Sequence, residues 1–193
     1  MEKICFATNN LNKLREIQEM LNGIYEVVSL KELGCLVELP ENQETLEGNS
    51  LEKAEFVYKN YHVAVFADDT GLEVNALNGD PGVYSARYAG LQRDTLDNMN
   101  KVLSELKGHE DRTARFRTVV TLIKEGKIDQ FEGIVDGKIA IDLAGHEGFG
   151  YDPIFIPEDR SITFAEMGLT EKNQISHRKR AIEKLVEFLV KKS

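Results

Sequence analysis

Residues 62–71 read HVAVFADDTG. The apolar run within His62–Ala67 has the length and composition of a buried strand, and it predicts a strand that stops at Asp68-Asp69-Thr70-Gly71. Two adjacent carboxylates at the end of such a strand are costly to bury without partners. In an α/β sheet the carboxyl end of a strand is also where ligands bind. Successive strand residues point to opposite faces, so Asp68 and Asp69 are not expected to face one site. One is expected to serve chemistry and the other structure. A Mg²⁺ ion is a suitable partner for a carboxylate placed there. The plainer reading is a turn-forming Asp-Thr-Gly.

Upstream of this stretch, Lys3–Ala7 reads as a strand broken by Thr8-Asn9-Asn10. Leu11, Leu14, Ile17 and Leu21 then recur at helical spacing, and Asn22-Gly23 ends that helix as a C-cap. Glu26–Leu30 predicts a second strand, residues 38–48 a polar, acidic loop, and Leu51–Tyr61 a second helix. Downstream, residues 78–90 are rich in glycine and predict a long structured loop. Asp94 caps an expected helix through Leu106. Thr118–Ile123, Gln130–Val135 and Lys138–Ile141 read as strands, and Asp136-Gly137 signals a hairpin between the last two. Gly145–Pro153 reads as a glycine-rich loop, and Ile182, Leu185, Val186 and Leu189 mark a C-terminal amphipathic helix. Strands alternate with helices early and a hairpin comes late, so the expected class is α/β with a mixed central sheet and flanking helices. One domain over residues 1–193 is expected.

The chain carries 24 Lys and Arg against 33 Asp and Glu, a formal net charge of −9. That excess argues against broad binding to nucleic acid or anionic membrane, both of which need a basic footprint. It leaves room for a small basic pocket. No window approaches the roughly 20 apolar residues of a membrane span, and the start of the chain does not read as a signal peptide. Cys5 and Cys35 match no metal spacing, and Cys5 is expected to be a buried, inert thiol. The cytoplasm is the expected compartment. The P-loop and dinucleotide fingerprints are absent, and His62, His109, His146 and His177 are too scattered to propose zinc.

Three further stretches carry chemistry. Thr8-Asn9-Asn10-Leu11-Asn12-Lys13 spans a strand-to-helix junction, where unpaired backbone N–H groups, the helix dipole and Lys13 suit a phosphate; plain helix capping is the competing reading. Gly148-Phe149-Gly150-Tyr151-Asp152-Pro153 lets a backbone approach a flat ligand on which Phe149 stacks, against the reading of a glycine turn with a core Phe. Lys172 through Arg180 is the dense basic run of an acidic chain and leads into the last helix. Cations at a helix start oppose the dipole, which points to an anionic or acceptor-rich ligand nearby. Lys53 is an ordinary surface lysine unless the site reaches it.

These stretches together resemble the inosine triphosphate pyrophosphatase, or Ham1-like, family. The matching segments are ATNNLNKLREI at 7–17, TLEGNSLEKA at 45–54 and FADDTGLEVNALNGDPGVYSARYAG at 66–90, followed by EGFGYDPIFIP at 147–157, TFAEM at 163–167 and EKNQISHRKRA at 171–181. They keep one order from end to end. The resemblance implies an elongated α/β fold of two lobes with an active cleft between them, usually a homodimer. It implies a Mg²⁺-dependent hydrolase that cuts dITP, ITP or XTP to the monophosphate and pyrophosphate, sanitising the nucleotide pool. A small-molecule nucleotide is then the expected partner, with no nucleic acid and no membrane.

By position, the resemblance implies that Thr8 through Lys13 and Lys53 bind the triphosphate. It makes Asp69 the general base and a Mg²⁺-associated carboxylate, and puts Thr70 where many members carry Ser. Glu41 aligns with the acidic loop residue that binds Mg²⁺. Gln43 departs from a common Gly, so Glu44 and Glu47 stand as alternatives. Phe149, Gly150, Tyr151 and Asp152, with Lys172, Ser176, His177 and Arg178, would form the base pocket. The rival readings are a Maf-like pyrophosphatase for other nucleotides and a non-catalytic nucleotide- or RNA-binding module.

Overall fold

The computed structural model describes residues 1–9 and 11–191. Among these residues seven strands form one mixed sheet: β1 (Glu2–Phe6), β2 (Tyr25–Ser29), β3 (Ala64–Val74), β4 (Pro81–Gly82), β5 (Thr113–Lys124), β6 (Lys127–Ile139) and β7 (Phe155–Pro157). Their order is β2-β1-β3-β5-β6-β7, with the two-residue β4 paired to β3. The strands β1 and β2 are parallel, as are β1 and β3, whereas β6 and β7 are antiparallel. Among the described residues five α-helices accompany them: α1 (Leu11–Met20), α2 (Leu46–Tyr61), α3 (Thr95–Glu105), α4 (Leu169–Ile175) and α5 (His177–Lys191). No described helix is long and apolar enough to cross a membrane.

The chain divides into two compact units. The first comprises Met1–Asp69, Val119–Glu132 and the chain from Ala181. Its strands bury both faces, and residue parity sorts their side chains. Ile4, Phe6, Phe66 and Leu122 pack with Leu14 and Ile17 of α1 and with Leu185 and Leu189 of α5. Cys5, Ala7, Val65, Ala67 and Ile123 pack on the other face with Ala54 and Val57 of α2. The Phe6 and Phe66 rings stack at 4.6 Å and 16°, a contact worth about 1 kcal/mol beyond burial. The second unit comprises Thr70–Thr118 and Gly133–Arg180. Its core joins Leu72 and Val74 of β3, Met99 and Val102 of α3, and Phe116, Phe155 and Phe164.

Four expectations are corrected. The strand does not stop at Asp68: β3 runs on to Val74, with Leu72 and Val74 fully buried. The helix expected from Leu51 starts at Leu46, because Thr45 caps it and accepts from the Gly48 N–H. The strand expected from Thr118 begins at Thr113, where exposed and buried residues alternate up to Phe116. Asp136-Gly137 is not a hairpin; both residues lie inside β6. Gly137 is opposite Pro157 of β7, where a Cβ would come within 2.3 Å of the Ile156 carbonyl oxygen. The glycine is there for close strand approach, not for a turn. The turn that joins β5 to β6 is Glu125-Gly126, with φ of 52° and 74°, the pair of positive angles that a two-residue hairpin favours.

Both cysteines are buried and free of disulfides. Burial, with the nearby Cys35 and Glu32 adding to it, pushes the Cys5 thiol up to about 12. Iodoacetamide at mildly alkaline pH is therefore expected to leave Cys5 unmodified in the native protein and to label it after unfolding, read by peptide mass spectrometry. Gly137→Ala is expected to lower the unfolding free energy by about 1–3 kcal/mol in a urea titration, since the atom it meets is backbone and cannot swing away.

Candidate functional site

The register of the first unit brings two strand ends level. Phe6 of β1 is opposite Phe66 of β3, and the Ala7 N–H donates to the Phe66 carbonyl at 2.9 Å. Thr8 and Asp68 therefore lie at the same height, at the carboxyl end of β1 and beside the start of α1. Thr8 is half-buried and Asn9 exposed. Asn10 lies outside the described residues, as do the side chains of Leu11 and Asn12. Lys13, in the first turn of α1, reaches Asp68 with Nζ 2.8 Å from Oδ2.

Parity then separates the two carboxylates. Phe66 faces the α1 side and Ala67 the α2 side, so Asp68 falls toward α1 and Asp69 toward α2. The bonds follow. Asp68 pairs with Lys13, while Asp69 meets two residues of α2: Asn49 Nδ2 donates to Oδ2 at 3.1 Å, and Lys53 Nζ lies 3.5 Å from Oδ1. Lys53 also donates to Glu41 Oε1 at 2.7 Å. One ammonium thus stands between two carboxylates. Of the three loop acids considered, Glu41 meets Lys53, Glu44 is exposed, and Glu47 belongs to the first turn of α2.

The loop that carries Glu41 is tied to α2. The Gln43 N–H donates to Asn49 Oδ1 at 2.9 Å, and the Asn42 N–H donates to Glu52 Oε2 at 2.7 Å. Burial pushes the Asp69 carboxyl above the usual carboxylate range; Lys53 and the Asn49 bond oppose this, while Glu41 and Asp68 add to it. For Lys53 burial works against the charged form, but Asp69, Asp68 and Glu41 outweigh it and hold the ammonium above its ordinary value. A carboxylate raised in this way is a better proton acceptor.

Among the described residues no group of three or more His, Cys, Asp or Glu is placed to hold a metal ion. Glu41 and Asp69 nevertheless form an all-oxygen pair already gathered around one cation. That donor set fits Mg²⁺, which is commonly held by one or two carboxylates together with substrate phosphates.

The second unit contains a cavity of about 220 Å³. Phe149, Gly150, Tyr151, Asp152, Lys172, Ser176, His177 and Arg178 all line it, and so does Thr70. Asp152 organises one wall. Its Oδ2 accepts from the Phe149 N–H at 2.7 Å and from Lys172 Nζ, and both charged side chains are buried. Gly148 is required beside it, since a Cβ would come within 2.1 Å of that same oxygen. Phe149 is 60% exposed, with Lys172 Nζ and the Arg178 guanidinium 4.6 and 5.6 Å from its ring centroid. An exposed ring flanked by cations is a stacking platform for an acceptor-rich heterocycle. Ser176 has a structural task as well: its hydroxyl accepts from the Lys179 N–H and so caps α5. The ring of buried His177 stacks on Phe116 at 4.7 Å.

Sequence reasoning missed Asn49, Phe116 and Thr118. The signal for Asn49 was present. The buried stripe of α2 is Leu46, Asn49, Ser50, Lys53, Ala54 and Val57, and three polar residues occupy positions whose period calls for apolar ones. Phe116 lies between two arginines in an alternating stretch. Thr118 lies within hydroxyl–hydroxyl hydrogen-bonding distance of Thr70, 2.7 Å away, and only the fold brings the two together.

A family model described as the Ham1 family matches residues 4–188. The chain is 50% identical to the dITP/XTP pyrophosphatase of Flavobacterium johnsoniae over 97% of each chain. It is 52% identical to the dITP/XTP pyrophosphatase of Porphyromonas gingivalis over 98% of each. The solved structure of the Staphylococcus aureus Ham1 protein superposes with a TM-score of 0.94, at 38% identity and full coverage of both chains.

The Asp152–Lys172 pair sets a stability test. Lys172→Met strands a buried carboxylate and is expected to cost roughly 3–5 kcal/mol in urea unfolding. Adding Asp152→Asn to that variant is expected to restore part of the loss.

Proposed function

The chain belongs to the Ham1 family, and from that premise we propose that it hydrolyses dITP, ITP and XTP to the monophosphate and pyrophosphate. The observation that carries this reading is the cluster at the carboxyl end of the first strands. There Asp69, raised by burial, is met by Lys53 and Asn49, and Lys13 stands on the neighbouring Asp68.

In this reading the triphosphate lies at the junction of β1 and α1, against Lys13 and Lys53. The Lys53 ammonium has three donors, and its contacts to Glu41 and Asp69 use two of them. Asp69 takes a proton from a water that attacks the α-phosphorus. The new P–O bond forms as the bond to the β-phosphate breaks, and pyrophosphate leaves with the electron pair. Lys13 and Lys53 neutralise charge that grows on the phosphoryl oxygens, which is the larger part of the rate gain. Glu41 and Asp69 would hold Mg²⁺, which when bound supplies further neutralisation of phosphate charge.

The base is assigned to the cavity lined by Phe149, Lys172 and Arg178. Inosine and xanthosine carry an acceptor oxygen at the six-position, where adenine carries a donor amino group. Cationic donors on the pocket wall match the first and oppose the second. Phe149 contributes stacking and little selectivity. Thr70, which lines the same cavity, follows Asp69 directly in β3. The reading carries with it a single domain of two lobes, a homodimer and a cytoplasmic protein engaged in sanitation of the nucleotide pool.

Pyrophosphate release from dITP, XTP, GTP and ATP, with and without Mg²⁺, tests the proposal. Turnover of dITP and XTP that exceeds ATP by about 100-fold or more and requires the metal is the expected result. Activity confined to other nucleotides would overturn it. Asp69→Asn is expected to lower kcat by about 100- to 10,000-fold with nucleotide binding largely kept, and wild-type turnover in that variant would remove Asp69 from the reaction.

A further inference from the structure

Asn49 is 1% exposed and uses both ends of its amide. Oδ1 accepts from the Gln43 N–H at 2.9 Å, and Nδ2 donates to Asp69 Oδ2 at 3.1 Å. The orientation is dictated chemically: a backbone N–H can only donate, so the oxygen must face Gln43 and the nitrogen must face Asp69. Gln43 lies two residues from Glu41, in the loop that Glu52 also clips to α2 through Asn42. A single buried amide therefore touches the reacting carboxylate directly and the Glu41 loop through its backbone.

We propose that Asn49 is a positioning residue for hydrolysis, which fixes the direction in which Asp69 accepts a proton and holds the Glu41 loop at the distance Asp69 requires. The inference rests on the reading of Asp69 as the base. Asp69 Oδ1 faces Lys53 and Oδ2 faces Asn49, so the two contacts together leave the carboxylate one orientation. Lys53 alone does not supply this. Its contact to Asp69 is longer than its contact to Glu41, and a flexible ammonium constrains direction less than a planar amide set in a packed helix face. A residue that only tethered the loop would need the Gln43 bond and not the Asp69 bond.

Asn49→Asp separates the two tasks. When ionised it keeps the shape and the acceptor for Gln43 and sets a second carboxylate against Asp69 in place of the amide donor, whereas Asn49→Ala removes both bonds. In steady-state assays of the full chain with dITP and Mg²⁺, both variants are expected to lose about 10- to 100-fold in kcat, with KM within about threefold of wild type. The thermal midpoint of Asn49→Asp is expected to fall, because the change buries a second carboxylate beside Asp69, and kcat is read at a temperature where the variant stays folded. In an Asp69→Asn background the further Asn49→Asp change should cost less than about twofold, because the two residues act as a unit. A kcat for Asn49→Asp within about threefold of wild type, or an undiminished further loss in the Asp69→Asn background, would overturn the assignment. Wild-type turnover of Asp69→Asn alone would instead overturn the reading of Asp69 on which it rests.

Discussion

Asp68 and Asp69 stand on consecutive residues of β3, inside a unit whose neighbouring strand residues are buried. Withdrawing one unpaired carboxylate from water costs several kcal/mol, so the strand closes only if each finds a partner. Parity sends the two to opposite faces, and a helix waits on each. Lys13 of α1 meets Asp68; Lys53 and Asn49 of α2 meet Asp69. The requirement that makes the pair tolerable therefore also dictates which helix faces must approach the strand end. Glu41 follows, because Lys53 carries it. A structural demand and a candidate reacting group are built from the same contacts.

The second unit uses the same device at another scale. Asp152 and Lys172 are both buried and bonded, and the pair holds the backbone of Phe149 through the Phe149 N–H. Removing either partner leaves the other charge buried without its ion pair. Phe149 itself stays exposed, with the Lys172 ammonium 4.6 Å from its ring centroid.

Much of the backbone was legible. Apolar alternation located β1, β2 and the first half of β3, and Asp94 and the leucine spacing located α3. The failures share a cause. Asp136-Gly137 carries a strong hairpin signal, yet the glycine serves contact with β7, a strand about 20 residues further along the chain. Asp68 reads as a strand end because carboxylates are rare in buried strands, but Lys13 lies 55 residues upstream. The start of α2 was hidden by Gly48 and by polar residues in its buried stripe. At each point a distant partner overrode local propensity.

The candidate site residues were visible as residue types at strand ends, at a glycine turn and in a basic run, and the alternation of strand and helix periods pointed to the α/β class. Those features depend on covalent neighbours alone, so they can be read along a string. Which lysine meets which aspartate, that Glu41 rather than Glu44 lies against Lys53, and that Asn49 bonds to Asp69 were decided by tertiary structure. Charge pairing in a buried site depends on distances between segments far apart in the chain. Only the folded sheet, with α1 on one face and α2 on the other, brings those distances to hydrogen-bond length.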